Sequence, residues 1–320
     1  MGGHWLAELD GRRVTVETPA SSANLGAGYD CLGVALALTD RIEVEVRGWS
    51  RGEIELTVEG EGDGELTNDR ENRFIRGLET ALEQVRGPIP DGVGWRIAMR
   101  NEIPLARGLG SSAAATVAGV LAANHLLGEA LDRAAMLRIA TDIEGHPDNA
   151  AAVLMGGFVV SASSDAGVEA IRFDSPRDLR AVLFIPDLRL ATKDMRKALP
   201  AKVPLADAVS NLAAVGIGVA GLATGRMDLL ARLTVDRLHE PYRAAAYPQL
   251  PRLVEAARAA GALGACLSGA GSTVIAFTDS MADITRIEAA FLAVAADTDL
   301  HGVVRIIEPR NKGARVVSKH

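Results

Sequence analysis

Apolar and polar residues alternate near the start of the chain. Val14 and Val16 face one way and Arg13 and Thr15 the other, which predicts a strand over residues 12–18. The same period of two returns at Ile42, Val44 and Val46, at Ile54, Leu56 and Val58, and at Val93, Trp95, Ile97 and Met99. The segment Gly48 to Gly52 between the first two of these runs predicts a hairpin. Over residues 72–86 the period lengthens to that of a helix, with Phe74, Ile75, Leu78, Leu82 and Val85 on one face and Gly87-Pro88 as the stop. Ala113 to Leu127 is small and apolar almost throughout and predicts a buried helix ended by Gly128. Met136, Ile139, Ala140 and Ile143 mark another helix, and Phe158 to Phe173 reads as a hairpin entered through Gly156-Gly157.

The second half repeats the mixture. A strand is expected at Ala181 to Ile185, then a loop with Thr192, Lys193 and Arg196. A helix follows with Leu205, Val209, Leu212, Gly216 and Val219 on one face, then a polar, proline-broken stretch over 236–243. Helices around Leu250–Ala257 and Ile284–Val294 and strands at Thr273–Phe277 and Val303–Ile306 complete it. The order of elements over 181–306 matches a ferredoxin-like layer, with helices on one face of an antiparallel sheet. Composition does not change along the chain, and a soft boundary is expected at 168/169.

Three glycine-rich segments interrupt these patterns, each beside a predicted strand. The central one, Ile103 to Ala115, reads Ile-Pro-Leu-Ala-Arg-Gly-Leu-Gly-Ser-Ser-Ala-Ala-Ala and opens the buried helix. Such a place presents unpaired backbone N–H groups and the positive end of the helix dipole, which suits phosphate. It lacks the lysine of a Walker A loop and the spacing of a Rossmann fingerprint. Its two serines could cap the helix, ligate a metal or donate to phosphate oxygens. The first segment is Pro19 to Gly33, with Asn24 and Asp30 as its strongest polar side chains; the third is Leu267 to Ser272. Three such segments in one chain point to a phosphorylated ligand held by main-chain amides. Phosphoryl transfer needs positioning and charge neutralisation more than covalent chemistry, and commonly Mg²⁺ on oxygen ligands. Ser112 and Glu144 offer such oxygens. The run Glu144-Gly-His-Pro-Asp-Asn149 reads equally as a helix end followed by a cap for the next helix.

A net charge of −7, with both signs interspersed, argues against nucleic acid as a partner. Two cysteines, Cys31 and Cys266, give neither a disulfide framework nor metal spacing, which fits a reducing cytoplasm. Met1 to Arg13 holds no apolar signal core, and the run from Ser111 to Leu127 is too short and too often interrupted to span a membrane.

The three segments resemble the three motifs of the GHMP small-molecule kinases, over roughly residues 12–310. Within that superfamily the chain is most similar to members that phosphorylate homoserine. Ser22-Ala-Asn-Leu-Gly26, Gly28-Tyr-Asp30, Glu144 to Asn149, Thr192-Lys193 with Arg196, and His239-Glu-Pro-Tyr-Arg243 carry that likeness. The resemblance implies an α+β, two-lobed fold. Residues 1–168 would form an ATP-binding lobe like domain 2 of ribosomal protein S5, with a left-handed βαβ crossover, and residues 169–320 a ferredoxin-like lobe. It implies phosphoryl transfer from ATP to the side-chain hydroxyl of L-homoserine, a step toward threonine, in a cytoplasmic homodimer. Pro104, Leu105, Ala106, Arg107, Gly108, Leu109, Gly110, Ser111, Ser112, Ala113 and Ala114 would wrap the triphosphate, and Asn72 would meet adenine or cap its helix. Mg²⁺ would sit on Ser112 and Glu144. Asp30 with Asn24 suits the substrate's ammonium, and Arg196 and Arg243 its carboxylate. His146, Asp148 and Gly269 would shape the pocket, and Thr192 would meet the reacting hydroxyl. Several superfamily members carry a basic Asp near the position of Asn149, which cannot serve as a base, so direct attack by the hydroxyl is expected. A mevalonate-type or sugar kinase and a non-catalytic binding protein of the same fold are the alternatives.

Overall fold

The computed structural model describes residue 5 and residues 8–48, 52–90, 92–165 and 167–319. In chain order come β1 (Arg13–Ala23), β2 (Leu32–Arg47), β3 (Ile54–Gly60), α1 (Arg73–Arg86), β4 (Gly94–Asn101) and α2 (Ser111–Leu126). Next are α3 (Arg133–Glu144), α4 (Asp148–Met155), β5 (Phe158–Ser164), β6 (Gly167–Phe173), β7 (Arg180–Pro186) and α5 (Thr192–Lys197). α6 (Leu205–Thr224), α7 (Leu230–Leu233), α8 (Glu240–Arg243), α9 (Leu250–Ala259), β8 (Gly264–Leu267) and β9 (Val274–Thr278) follow. α10 (Met281–Asp297), β10 (Gly302–Ile307) and β11 (Arg315–Lys319) end the described chain.

A seven-stranded sheet has the order β11-β1-β2-β4-β3, with β5 and β6 continuing from the far end of β2. The hairpin expected between β2 and β3 is not formed. β4 lies between them, antiparallel to β2 and parallel to β3. Ile42, Val44 and Val46 on β2 face Met99, Ile97 and Trp95 on β4, and both rows are buried in one core with α1 and α2. β3 carries Glu55 and Glu59 and is only half covered, which suits an edge. Residues 49–51 of the expected turn lie outside the described residues. The first glycine-rich segment also starts later than its composition suggests. β1 runs on through Pro19, paired with Thr39, to Ala20–Ala23, paired with Leu36 to Gly33, and the register shifts between Pro19 and Ala20. Proline has no N–H for the ladder, and a bulge there lets the strand continue.

The second sheet has the order β10-β7-β9-β8 and is antiparallel throughout. With the connecting helices this is the ferredoxin-like layer expected from the sequence. Its outer core joins Phe184, Tyr247, Leu253, Ile287 and Phe291. The expected boundary at 168/169 falls inside β6, which pairs with β5 in the larger sheet, so the chain changes sheets only after Phe173. It returns through residues 308–314, and β11 pairs with β1. The outgoing and returning strands of this crossing are bonded to each other. Ser175 N donates to Asn311 Oδ1 at 2.7 Å, and Asn311 Nδ2 donates to Ser175 O at 3.0 Å.

The N-terminal part of the α6 face expected to be buried is open, although Val219 packs on the core. Leu205, Val209 and Leu212 are 79%, 54% and 73% exposed, and the helix packs instead through Asn211, Gly218, Gly221 and Leu222. By length and composition α6 is the one described helix able to cross a membrane.

Candidate active site

The three glycine-rich segments are tied into one structure. Ser21 N donates to Leu109 O, Thr273 N to Arg107 O, and Gly269 N to Ala23 O. Ser268 joins all three: its hydroxyl is 2.6 Å from Gly108 O and 2.8 Å from Ser22 Oγ. Its single proton goes to the carbonyl, so Ser22 donates to it. Gly110 caps α2 in the left-handed conformation (φ 70°), where a Cβ would stand 2.0 Å from Ser21 Oγ. No side chain caps α2, so the capping role open to Ser111 and Ser112 is not used. The amides of the first turn have no partner within the helix, and the dipole adds positive potential there.

Around this loop lies a cleft of about 200 Å³. Asn24, Asp30, His146, Asp148, Asn149, Arg196, Arg243 and Gly269 line it, as do Glu144, Thr192 and the loop from Ala106 to Ala113. A second cavity of about 390 Å³ adjoins it, and the two share Arg73, Ala106, Ser111, Ser112 and Thr192. Asn72 and Leu105 line the second cavity only, and Pro104 the first only. Asn72 caps α1: Phe74 N donates to its Oδ1 at 3.0 Å, and its Nδ2 donates to Thr67 O at 3.0 Å. Ala114 lines neither cavity and is fully buried in the core below. Arg107 turns its guanidinium away to Pro186 O at 2.7 Å, so it meets the cleft without serving as a free cation.

Glu144, at the end of α3, accepts from Ser112 Oγ at 3.0 Å and Thr116 Oγ1 at 2.7 Å, with Arg73 at 3.9 Å. Asp148 opens α4 and is buried; its Oδ1 accepts from Asn149 N at 2.7 Å and lies 2.8 Å from His146 Nδ1. Burial acts to lower the His146 pKa, but the hydrogen bond and charge of Asp148 outweigh it and the net shift is upward. Asn149 Oδ1 accepts from Ser21 Oγ at 2.8 Å, which fixes its amide beside Gly110. Thr192 starts α5 at the junction of the two cavities; α5 is a helix where a loop was expected.

The two charged groups expected to take opposite ends of a zwitterion hold each other. Arg196 forks onto Asp30 at 2.6 and 2.9 Å and gives a third bond to Tyr29 Oη at 2.7 Å. Asp30 raises the Arg196 pKa further. Asp30 itself stands in the left-handed region (φ 53°), with its N–H donated to Asn24 Oδ1 at 3.0 Å. Arg243 is only 1% exposed, and burial lowers its pKa. It donates to Gly269 O at 2.8 Å and to His239 Nδ1 at 3.1 Å. Both guanidiniums lie over the Tyr29 ring, that of Arg196 at 5.4 Å and that of Arg243 at 5.6 Å from its centre. Sequence reasoning gave no role to Tyr29, Arg73, Thr116, Ser268 or His239. Tyr29 belongs to the Gly28-Tyr-Asp30 motif, which was a signal available in the chain; Thr116 and Arg73 matter only through contacts made by folding.

A two-lobed α+β fold with a glycine-rich helix N-terminus in the cleft defines a small-molecule kinase of the GHMP type. The family models for the GHMP kinases N terminal domain and the GHMP kinases C terminal region match residues 72–157 and 219–297. Homoserine kinase from Moorella thermoacetica is 41% identical over 303 residues, covering 94% of this chain and 99% of that protein. The crystal structure of homoserine kinase from Cytophaga hutchinsonii superposes with a TM-score of 0.84 at 31% identity, over 95% of this chain and 97% of that one. A putative homoserine kinase from Listeria monocytogenes gives 0.73 at 28% identity, over 95% and 99%. The chain belongs to the homoserine kinase family of the GHMP kinases.

Proposed function

We propose that the protein transfers the γ-phosphoryl group of ATP to the side-chain hydroxyl of L-homoserine, giving ADP and O-phospho-L-homoserine. The observation that carries this reading is the pairing of two cavities at Ser111, Ser112 and Thr192. One holds a full set of groups for an amino-acid zwitterion; the other is the larger, partly apolar space beside Asn72, suited to a nucleotide. ATP would lie in the second with its phosphates on the amides of Gly108 to Ala113. A buried guanidinium with unmet donors is costly, and a carboxylate on Arg243 and Arg196 would relieve it. The ammonium would take the place of Arg196 on Asp30, beside Asn24. Gly269 and His146 would close the pocket around it.

The oxygens of Ser112 and Glu144 form a hard donor set that fits Mg²⁺, and Thr116 and Arg73 steady the Glu144 carboxylate. The bound ion would neutralise phosphate charge. The hydroxyl of homoserine would attack directly, oriented by Thr192 and Asn149. Asp148 Oδ1 is already engaged by His146 and Asn149 N, which favours a holding role over that of a base. Backbone dipoles at the start of α2 stabilise the charge that develops on the transferred group. A coupled ADP-release assay over homoserine, other hydroxy amino acids, mevalonate and sugars tests the reading. Homoserine should give the highest kcat/KM, and equal turnover of mevalonate or no turnover of any substrate overturns it.

The same reading makes the protein a cytoplasmic homodimer, with no nucleic-acid or membrane partner. The open apolar face of α6 supports a second copy as its cover. Sedimentation should show a dimer that Leu212→Glu dissociates; a wild-type monomer at micromolar concentration counts against it.

A further inference from the structure

His239 stands just before α8 and is absent from the walls of both cavities, yet it is fully buried against the residue that faces the ligand. Its Nε2 is 2.8 Å from Gly26 O, an atom that can only accept, so Nε2 carries the proton. Nδ1 is then a lone pair, and it lies 3.1 Å from Arg243 Nη1, which can only donate. The same Nη1 donates to Gly269 O at 2.8 Å, while Arg243 Nε is buried with no hydrogen-bond partner among the described residues. The Tyr29 ring covers both groups, 5.3 Å from the imidazole and 5.6 Å from the guanidinium. Burial pushes the imidazole pKa down to about 4; Asp236 opposes that shift and Arg243 adds to it. Asp236 Oδ2 lies 3.7 Å from Nε2, beyond hydrogen-bond reach, and the carboxylate accepts instead from Asn211 Nδ2 and the N–H groups of Leu238, His239 and Glu240.

We propose that His239 is a positioning residue for phosphoryl-acceptor binding. Its Nδ1 lone pair fixes the rotation of the Arg243 guanidinium and so presents the remaining donor edge to the substrate's carboxylate. Gly269 O alone is a single hinge point about which the guanidinium would turn; the imidazole supplies the second point and so a defined plane. Through Arg243, His239 also links the first glycine-rich segment at Gly26 to the third at Gly269, so the carboxylate site forms only when both are in place. The inference rests on Arg243 binding the carboxylate, as proposed above.

The test compares homoserine with the amino alcohol left when homoserine loses its carboxylate. For each protein the readout is the ratio of the two kcat/KM values, which cancels general loss of active enzyme. Arg243→Leu should lower that ratio by about a hundredfold. His239→Gln retains a donor toward Gly26 but places no acceptor at Nδ1. It should lower the ratio by about tenfold through the KM for homoserine, with the KM for ATP and kcat nearly unchanged. His239→Asn returns an amide oxygen to the Nδ1 position and should hold the ratio within about threefold of wild type. A ratio that falls in Arg243→Leu but not in His239→Gln overturns the positioning role. A ratio unmoved in Arg243→Leu overturns the carboxylate assignment itself. Should the Gln variant not fold, His239→Leu, which also offers no acceptor, takes its place beside the Asn variant: about a tenfold fall in Leu with Asn near wild type upholds the proposal, and a ratio unmoved in Leu, or an equal fall in both, overturns it.

Discussion

Replacing Gly108 by alanine tests whether the central loop depends on main-chain contact with the third glycine segment. Gly108 has φ 76°, and a Cβ built there would stand 2.1 Å from Ser268 O, 2.9 Å from Gly271 N and 3.0 Å from Gly271 O. Ordinary contact begins at 3.4 Å, so the nearest atom must retreat by more than an ångström. It belongs to backbone that is itself bonded: Ser268 N donates to Thr273 O, and Gly271 N to Ser268 O. The left-handed conformation costs an L-residue about 1–2 kcal/mol, and forced repacking about 1–3 kcal/mol. Gly128 supplies the control, with φ 72° and nothing within 4 Å of a built Cβ, so Gly128→Ala carries the conformational cost alone. At about 2 °C per kcal/mol for a chain of this size, Gly128→Ala should lower Tm by about 2–4 °C and Gly108→Ala by about 4–10 °C. The Gly108 variant should also lose kcat by about tenfold or more, because the displaced loop carries the phosphate-binding amides. Calorimetry and the coupled assay, run on both variants, read the two effects. Equal Tm losses, or a Gly108 variant with wild-type kcat, would refute the close-contact reasoning.

Ser112→Ala removes one of two hydroxyls on Glu144 at an exposed position; the cost to folding should stay below about 1 kcal/mol while kcat falls about tenfold or more. Near-wild-type turnover in titrations with Mg²⁺ would remove Ser112 from the metal site. Asp40 is buried beside the second cavity, and burial raises its pKa to about 7, partly opposed by bonds from the Ile103 and Glu102 amides. The folded state thus keeps a proton that the unfolded chain releases near pH 4. The stability this gives is complete below that pH and disappears as pH rises through about 7. Asp40→Asn should therefore gain Tm relative to wild type between about pH 5 and about pH 8, and a difference that is flat or falls with pH contradicts the assignment.

Much of this fold could be read along the chain because burial is periodic there. α1 and the ferredoxin-like half follow from apolar spacing and α2 from an almost unbroken apolar run, and the three glycine-rich segments mark the strand ends that the cleft requires. Pairing was harder to read. Nothing local tells β3 that β4 will enter between it and β2; the choice is made by the two apolar rows that α1 and α2 cover together. The apolar stripe on α6 is real, but periodicity records only that a face is apolar, not what covers it. Charges posed a similar limit. Asp30 and Arg196 are assigned to a ligand through the resemblance, whereas their bidentate pairing is a property of the folded cleft. His239 opens the His239-Glu-Pro-Tyr-Arg243 motif, but its service to Arg243 depends on which ring nitrogen Gly26 occupies, and only the fold determines that.

The bonded crossing at Ser175 and Asn311 has a mechanical consequence. Where two sheets are linked by a single strand of chain, one half can swing and twist freely about the other. Here two covalent links run side by side and are clasped to each other, like the knuckles of one door hinge. Separating the two sheets at this edge would therefore break both of these hydrogen bonds as well as strain two passages of chain.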